Sequence, residues 1–271
     1  MKNTTVVRMT YVGGPTALLE WGGLRLLTDP TFDPSGTIYT TPSYSLRKTM
    51  DPAVGPDALG PFDAILLSHD HHFDNLDHSG RTLVTRTRPV FTTVAGAPRL
   101  GGGAIGLVPW QSLEIGAPHG RVLTITGTPA RHGPAHADRG PVTGFVLSFQ
   151  DDPGNAIYLS GDTVWYEGVR EVNQRFSIRM AVLFMGAARV PAVGDWPLTF
   201  TASEGVETAR AFSDATIIPV HYEGWDHFSE SRTEIARTFE EAGLSHRLRW
   251  LPAGSPTDVA ITPAASGSRR S

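Results

Sequence analysis

No cysteine occurs among the 271 residues. That absence removes disulfides, thiolate metal sites and cysteine nucleophiles together, so any metal must be held by His, Asp, Glu or Asn. Charge is also sparse, at 18% Asp, Glu, Lys and Arg with a net −4. Such a chain exerts no long-range pull on phosphate backbones, and nucleic acid is not expected as an obligatory partner. Nowhere do about 18 apolar residues run consecutively, as a membrane-spanning helix would require. Met1 to Pro15 lacks the apolar core of a signal peptide. The expectation is a cytoplasmic protein without a transmembrane segment. Gly (29) and Pro (21) are plentiful without forming a repeat, and 40% of the chain is hydrophobic. This balance describes a compact, loop-rich domain. We read one domain over residues 1–262 and a frayed, small-residue tail over 263–271.

Alternating or fully apolar runs mark strands at Thr5 to Val12, Ala17 to Trp21 and Leu24 to Thr28, with a Gly22-Gly23 turn between the last two. A polar, Pro-rich excursion from Asp29 to Pro61 follows, and its length suits a functional loop near a site. Further strands are expected at Phe62 to Leu67, Arg121 to Thr126, Val142 to Phe149, Ala156 to Leu159, Met180 to Phe184 and Thr216 to Val220. Helices are expected from Leu76 to about Thr85 and after two capping-box patterns, Thr201-Ala-Ser-Glu204 and Ser231-Arg-Thr-Glu234. Strands dominate early and helices are interleaved later. That order fits an α+β fold of two packed sheets flanked by helices better than an alternating doubly wound sheet.

The chemistry-bearing residues sit where these apolar strands run out. The densest group is His69-Asp70-His71-His72-Phe73-Asp74-Asn75, after Ala64-Ile-Leu-Leu-Ser. His132, Asp162 and His221 each follow a strand of their own, with Asp29 as an outlying fifth position. Imidazoles and carboxylates on separate strand ends can converge on one cation while the sheets hold them rigid. Taken singly, each has a plainer explanation. His132 alone reads as an ordinary polar histidine, and Asp162 as a helix cap. Only their joint placement favours a metal centre.

These residues, in this order, resemble the metallo-β-lactamase fold superfamily, whose hallmark HxHxDH is followed by a single His, a bridging Asp and a final His. The flanks Leu26-Leu27-Thr28-Asp29-Pro30 and Ile218-Pro219-Val220-His221-Tyr222 are similar to the branch holding ascorbate-6-phosphate lactonase and the N-acyl-phosphatidylethanolamine phospholipase D-like proteins. The resemblance implies a four-layer αββα sandwich. It departs from the family in two places. The stretch between Ser68 and Leu76 is one residue longer than the motif and carries Asn75 where the last His belongs. Gly13-Gly14-Pro15-Thr16 stands where relatives often show Gly-His-Ala-Thr. Two alignments of the motif stay open: His69, His71 and Asp74 with an insertion, or Asp70, His72 and Asp74 without one. We favour the first, because it retains two imidazoles at the strand exit.

On that basis the expected ligands are His69, His71, Asp74, His132, Asp162 and His221, with His72 and Asn75 as reserves. Asp29 is expected to support a ligand histidine by a hydrogen bond, and Asp74 to orient the attacking water. Trp165, Tyr166, Arg189 and Trp225 are expected around the pocket, Arg189 as an anion grip. The implied cofactor is Zn²⁺, as one or two ions, with Mn²⁺ or Fe²⁺ as alternatives. The implied activity is hydrolysis of an ester, lactone or phosphodiester of a small anionic metabolite. The rival reading is a catalytically inactive metal- and ligand-binding protein of the same fold. A homo-oligomer stays open.

Overall fold

The computed structural model describes residues 5–261. The expected tail and the first four residues lie outside the described residues. Two mixed sheets face each other. The first has seven strands in the order Thr257–Ile261, Thr5–Gly13, Thr16–Trp21, Leu24–Thr28, Ala64–Leu66, Val90–Thr93 and Ile105–Leu107. The second has six: Thr216–Val220, Ile178–Phe184, Asp152–Leu159, Thr143–Phe149, Val122–Pro129 and Ser112–Gly116.

Side chains alternate across each strand, and here both faces are covered. Leu19, Leu26, Leu66, Leu147, Val182 and Ile218 point into the space between the sheets. Their neighbours Leu18, Leu27 and Ile65 pack outward with Val84 of the helix His78–Arg86. Ala181, Leu183 and Ile217 do the same against Val169, Val206, Ile235 and Phe239 of the helices Glu167–Arg175, Ala202–Ala211 and Arg232–Glu241. The layers are therefore helix, sheet, sheet, helix, as the resemblance implies. Both capping boxes form, Thr201 with Glu204 and Ser231 with Glu234. Pro219 has no N–H to give a second neighbour, and its strand lies at the edge of its sheet.

Strand direction places the site. Leu24–Thr28 and Ala64–Leu66 run parallel. In the second sheet Asp152–Leu159, Ile178–Phe184 and Thr216–Val220 run parallel. Val122–Pro129 joins them through two successive antiparallel pairings, which restore its direction. Asp29, the segment 67–75, His132, Asp162 and His221 thus leave their strands at one rim of the sandwich. The excursion after Asp29 contains a small hairpin, Ile38–Thr40 with Ser45–Arg47, and a short helix, Pro56–Leu59.

Candidate metal centre

Four donor atoms converge at the rim. Nε2 of His69 and Nε2 of His132 lie 2.9 and 3.1 Å from Nδ1 of His72. Oδ2 of Asp162 lies 3.8 Å from the His69 nitrogen and 3.5 Å from that of His132. A tetrahedron with metal–ligand bonds of about 2.1 Å has edges of about 3.4 Å, so this spacing fits one cation. A second group, Asp74, Asp162 and His221, shares Asp162 with the first. There Nε2 of His221 is 3.5 Å from Oδ2 of Asp74. Every residue of both groups is buried, and Oδ2 of Asp162 and Nε2 of His221 find no hydrogen-bond partner among the described residues. Buried polar atoms without partners are costly, and two cations placed there would satisfy them. The residues present fit the metals that the fold implies.

The imidazoles are oriented by their other nitrogens. Nδ1 of His132 donates to the carbonyl of Leu198 at 2.8 Å, which leaves Nε2 as a lone-pair donor. Nδ1 of His69 lies 2.9 Å from Ser68 Oγ, and that hydroxyl donates to Asp29 Oδ1 at 2.5 Å. Asp29 therefore supports His69 through an interposed serine, not by the direct bond expected. Burial and the charge of Asp162 push the Asp29 carboxyl up to about 8, although its bonds from Ser68 oppose the rise. His221 holds a left-handed backbone, φ 56°, fixed by its N–H donating to the Gly14 carbonyl at 2.7 Å. Gly161 precedes Asp162 at φ 60°, which a side chain would resist. Its Cα also lies so close to its neighbours that a Cβ would stand 2.8 Å from both Ser68 Cβ and the Thr143 carbonyl.

Protonation is divided across the centre. Burial, then the neighbouring histidines, hold His69 well below its usual value, and burial with the charge of His132 takes His72 down to about 3. Burial acts the same way on His221, but Asp162 and then Asp74 outweigh it and raise that imidazole to about 10. Asp74 is held well below the ordinary carboxylate range by His221 and His227 despite its burial.

Within the segment 69–75 three positions differ from expectation: His71, His72 and Asn75. His71 does not join the converging nitrogens: it is exposed, and its Nε2 is 2.9 Å from the carbonyl of Arg139. Residues two apart share a face only while the backbone stays extended, and here it bends at Asp70 and His71. Asp70 turns away to Arg99, whose Nε lies 2.8 Å from its carboxylate. His72 then swings back into the cluster, giving a His69–His72 pair that neither alignment of the motif anticipated. Asn75 stays out of both donor groups and directs its amide N–H at Ser68 Oγ, 3.4 Å away.

A cleft opens beside His72, Asp74 and His132, walled by Tyr44 and Leu46 of the hairpin and by Val190, Val193 and Leu198. None of the four expected pocket residues lines it. Trp165 and Tyr166 pack against the helical layer, and Arg131 lies over the Tyr166 ring at 4.5 Å. Arg189 donates to the Asp195 carbonyl and Ser229 Oγ at 2.8 and 3.2 Å. Trp225 is buried against Gly14, where a Cβ would come 3.1 Å from its Nε1. The position at which relatives often carry His is thus crowded by an indole. The cleft instead contains Arg139 and His227, which the motif reading passed over. Nε2 of His227 lies 3.1 Å from Oδ2 of Asp74. Its place shortly after His221 on one loop was the available signal.

Comparison with known proteins agrees with this architecture. The model of the beta-lactamase superfamily domain matches residues 24–222. The chain belongs to this family. Among curated relatives, a metal-dependent hydrolase of Methanospirillum hungatei is 25% identical over 87% of this chain and 91% of its own length. The protein YddR of Bacillus subtilis is 22% identical over 89% and 96%. Solved structures also share the fold. An isothiocyanate hydrolase from Delia radicum gut bacteria is 24% identical with a TM-score of 0.77, covering 94% of this chain and 100% of that one. A metallo hydrolase from Ignicoccus hospitalis is 19% identical with a TM-score of 0.68, covering 94% and 99%. Among the described residues no helix is long and apolar enough to cross a membrane.

Proposed function

We propose that this chain hydrolyses an ester, lactone or phosphodiester bond in a small anionic metabolite, with Zn²⁺ as the favoured cation and Mn²⁺ or Fe²⁺ as alternatives. The coarser statement, a metal-dependent hydrolase of the metallo-β-lactamase fold, has the support of the donor set and of relatives named as such. One observation carries the reading: two donor groups share the Asp162 carboxylate, and their members His72, Asp74 and His132 line a cleft.

His69, His72, His132 and Asp162 would hold one cation, and Asp74, Asp162 and His221 the other. Cations there would supply Lewis acidity and would make water a usable nucleophile near neutral pH. The protein's own groups do the rest. Asp74, anionic and held by His221 and His227, is placed to orient the attacking water. Buried relays through Leu198 and through Ser68 to Asp29 keep the imidazoles in one orientation, so little reorganisation accompanies the reaction. The aliphatic walls of the cleft exclude bulk water.

The test is metal analysis of protein purified without chelator, followed by a panel of nitrophenyl esters, lactones, phosphodiesters and, given the solved neighbour's name, isothiocyanates. Close to two metals per chain with turnover that a chelator abolishes is the expected result. Metal without turnover across the panel would favour the binding-protein reading instead.

A further inference from the structure

The reading above leaves open what recognises the substrate, and Arg189, the sequence's candidate, is turned elsewhere. Another guanidinium is better placed. Arg139 lines the cleft with Tyr44, Leu46, Val190 and Val193, and its side chain makes no hydrogen bond or ion pair among the described residues. Its backbone, by contrast, is clamped on both sides, to the cluster histidine His132 and to the exposed His71. Its N–H donates to the carbonyl of His132 at 2.8 Å, and its own carbonyl accepts from Nε2 of His71 at 2.9 Å. Asp138 Oδ1 tightens the same loop by accepting from the N–H groups of His132 and Gly140, each at 2.9 Å. The loop backbone is thus firmly tied to a histidine of the donor cluster, and it presents an unpaired guanidinium to a cleft whose outer walls are aliphatic. The role of His71 becomes clear as well: it holds this loop.

We propose that Arg139, with the Tyr44 hydroxyl in the same cleft, receives a carboxylate or similar monoanionic end of the substrate, while Leu46, Val190 and Val193 enclose a short aliphatic body. This rests on the hydrolase reading and narrows it to small aliphatic acid esters or lactones. A guanidinium meets such a group with two parallel N–H donors, and partial exclusion of water strengthens the pair. Neither nearby carboxylate is paired with it among the described residues: Asp138 accepts from backbone N–H groups, and Asp74 lies against His221 and His227.

The experiment compares two probes of matched chain length on the metal-loaded protein, mono-4-nitrophenyl glutarate and 4-nitrophenyl valerate. Wild type is expected to favour the anionic probe by about 10- to 100-fold in kcat/KM, the range of a charged hydrogen-bonded contact. Arg139→Ala should bring that ratio near one, mainly through KM. Arg139→Lys should leave it intermediate, and Arg139→Glu should invert it. Arg189→Ala serves as the control and should keep the wild-type ratio. An unchanged ratio in Arg139→Ala, or no preference in wild type, overturns the proposal. If neither probe is turned over, calorimetry with glutarate decides. Binding about tenfold weaker in Arg139→Ala supports the receptor while the hydrolase reading fails for these esters. Equal affinities overturn the receptor.

Discussion

The imidazole of His221 spans two carboxylates, with Nδ1 3.0 Å from Asp162 Oδ1 and Nε2 3.5 Å from Asp74 Oδ2. Without a cation this arrangement keeps the ring protonated, up to about pH 10. A metal entering the group of Asp74, Asp162 and His221 must displace that proton, whereas His69 and His72 carry none to displace at neutral pH. Raising the pH removes the competitor. The weaker class of sites should therefore gain about tenfold in affinity per pH unit between pH 7 and 9. The tighter class should change less. Calorimetry in two buffers of different ionisation enthalpy reads the released proton directly, and the absence of any release at pH 8 would contradict this division.

Acid should destabilise the cation-free protein. His72 falls from 6.5 to about 3 on folding, so between those values the unfolded chain binds the extra proton and stability drops as pH falls. Each such histidine contributes up to about 1.4 kcal/mol per pH unit in that window. Denaturant midpoints in the presence of chelator, taken from pH 7 to pH 4, should decline. Excess Zn²⁺ should restore them at the upper end of this range.

His71 and His72 should behave in opposite ways although they are neighbours. His72→Ala removes one of the four converging donors and should lower metal content and cut turnover more than about 100-fold. His71→Ala should retain its metal, since that ring faces the Arg139 carbonyl. Asp162→Asn, which weakens both groups at once, should lose both metals. Elemental analysis of the three purified variants separates these outcomes, and metal loss in His71→Ala would restore the motif alignment favoured from sequence.

Gly161→Ala tests the turn that presents Asp162. The new Cβ meets Ser68 Cβ and the Thr143 carbonyl at 2.8 Å, and the backbone is left-handed there. Strain of about 1–3 kcal/mol is expected, a fall in Tm of several degrees for a chain of this size. Reduced metal content should accompany it, because Ser68 and Asp162 are the groups displaced. A variant with normal Tm and full metal would show that the turn relaxes freely.

Lys48→Met should be among the most damaging changes remote from the cluster. Its Nζ lies 3.2 Å from Asp77 Oδ2, with side chains 4% and 0% exposed. Asp77 also caps the helix His78–Arg86 through Gly80 and accepts from the Asp33 N–H at 2.6 Å. Removing one partner of a buried pair leaves an uncompensated charge, at about 3–5 kcal/mol. A Tm lowered by roughly 10 °C follows, readable by calorimetry of the metal-loaded protein.

The sandwich was legible because its central strands are buried on both faces. Ala64–Leu66, the stretch 180–184 and the stretch 217–220 read as unbroken apolar runs. Ser112–Gly116 and Ile105–Leu107 were not seen: they are short, lie at sheet edges and are only partly buried, so their patterns merge with the surrounding loops. Chain order revealed the convergence of His69, His132, Asp162 and His221. The exchange of His71 for His72 could not be read, because it depends on where a loop bends, and local composition does not encode that. Arg139 and His227 escaped for a related reason. Their significance comes from side chains distant in sequence, the His132 carbonyl for one and Asp74 for the other.

His69, His132, Asp162 and His221 follow strand ends braced by two sheets, with His72 and Asp74 on the loop just beyond, while much of the cleft wall comes from the hairpin at 38–47 and the segment 188–198. Architecture and selectivity are thus encoded in different stretches of polypeptide. A combinatorial library confined to Tyr44, Leu46, Val190 and Val193 should yield folded, metal-loaded variants with shifted preferences, making this rim a natural starting point for directed evolution.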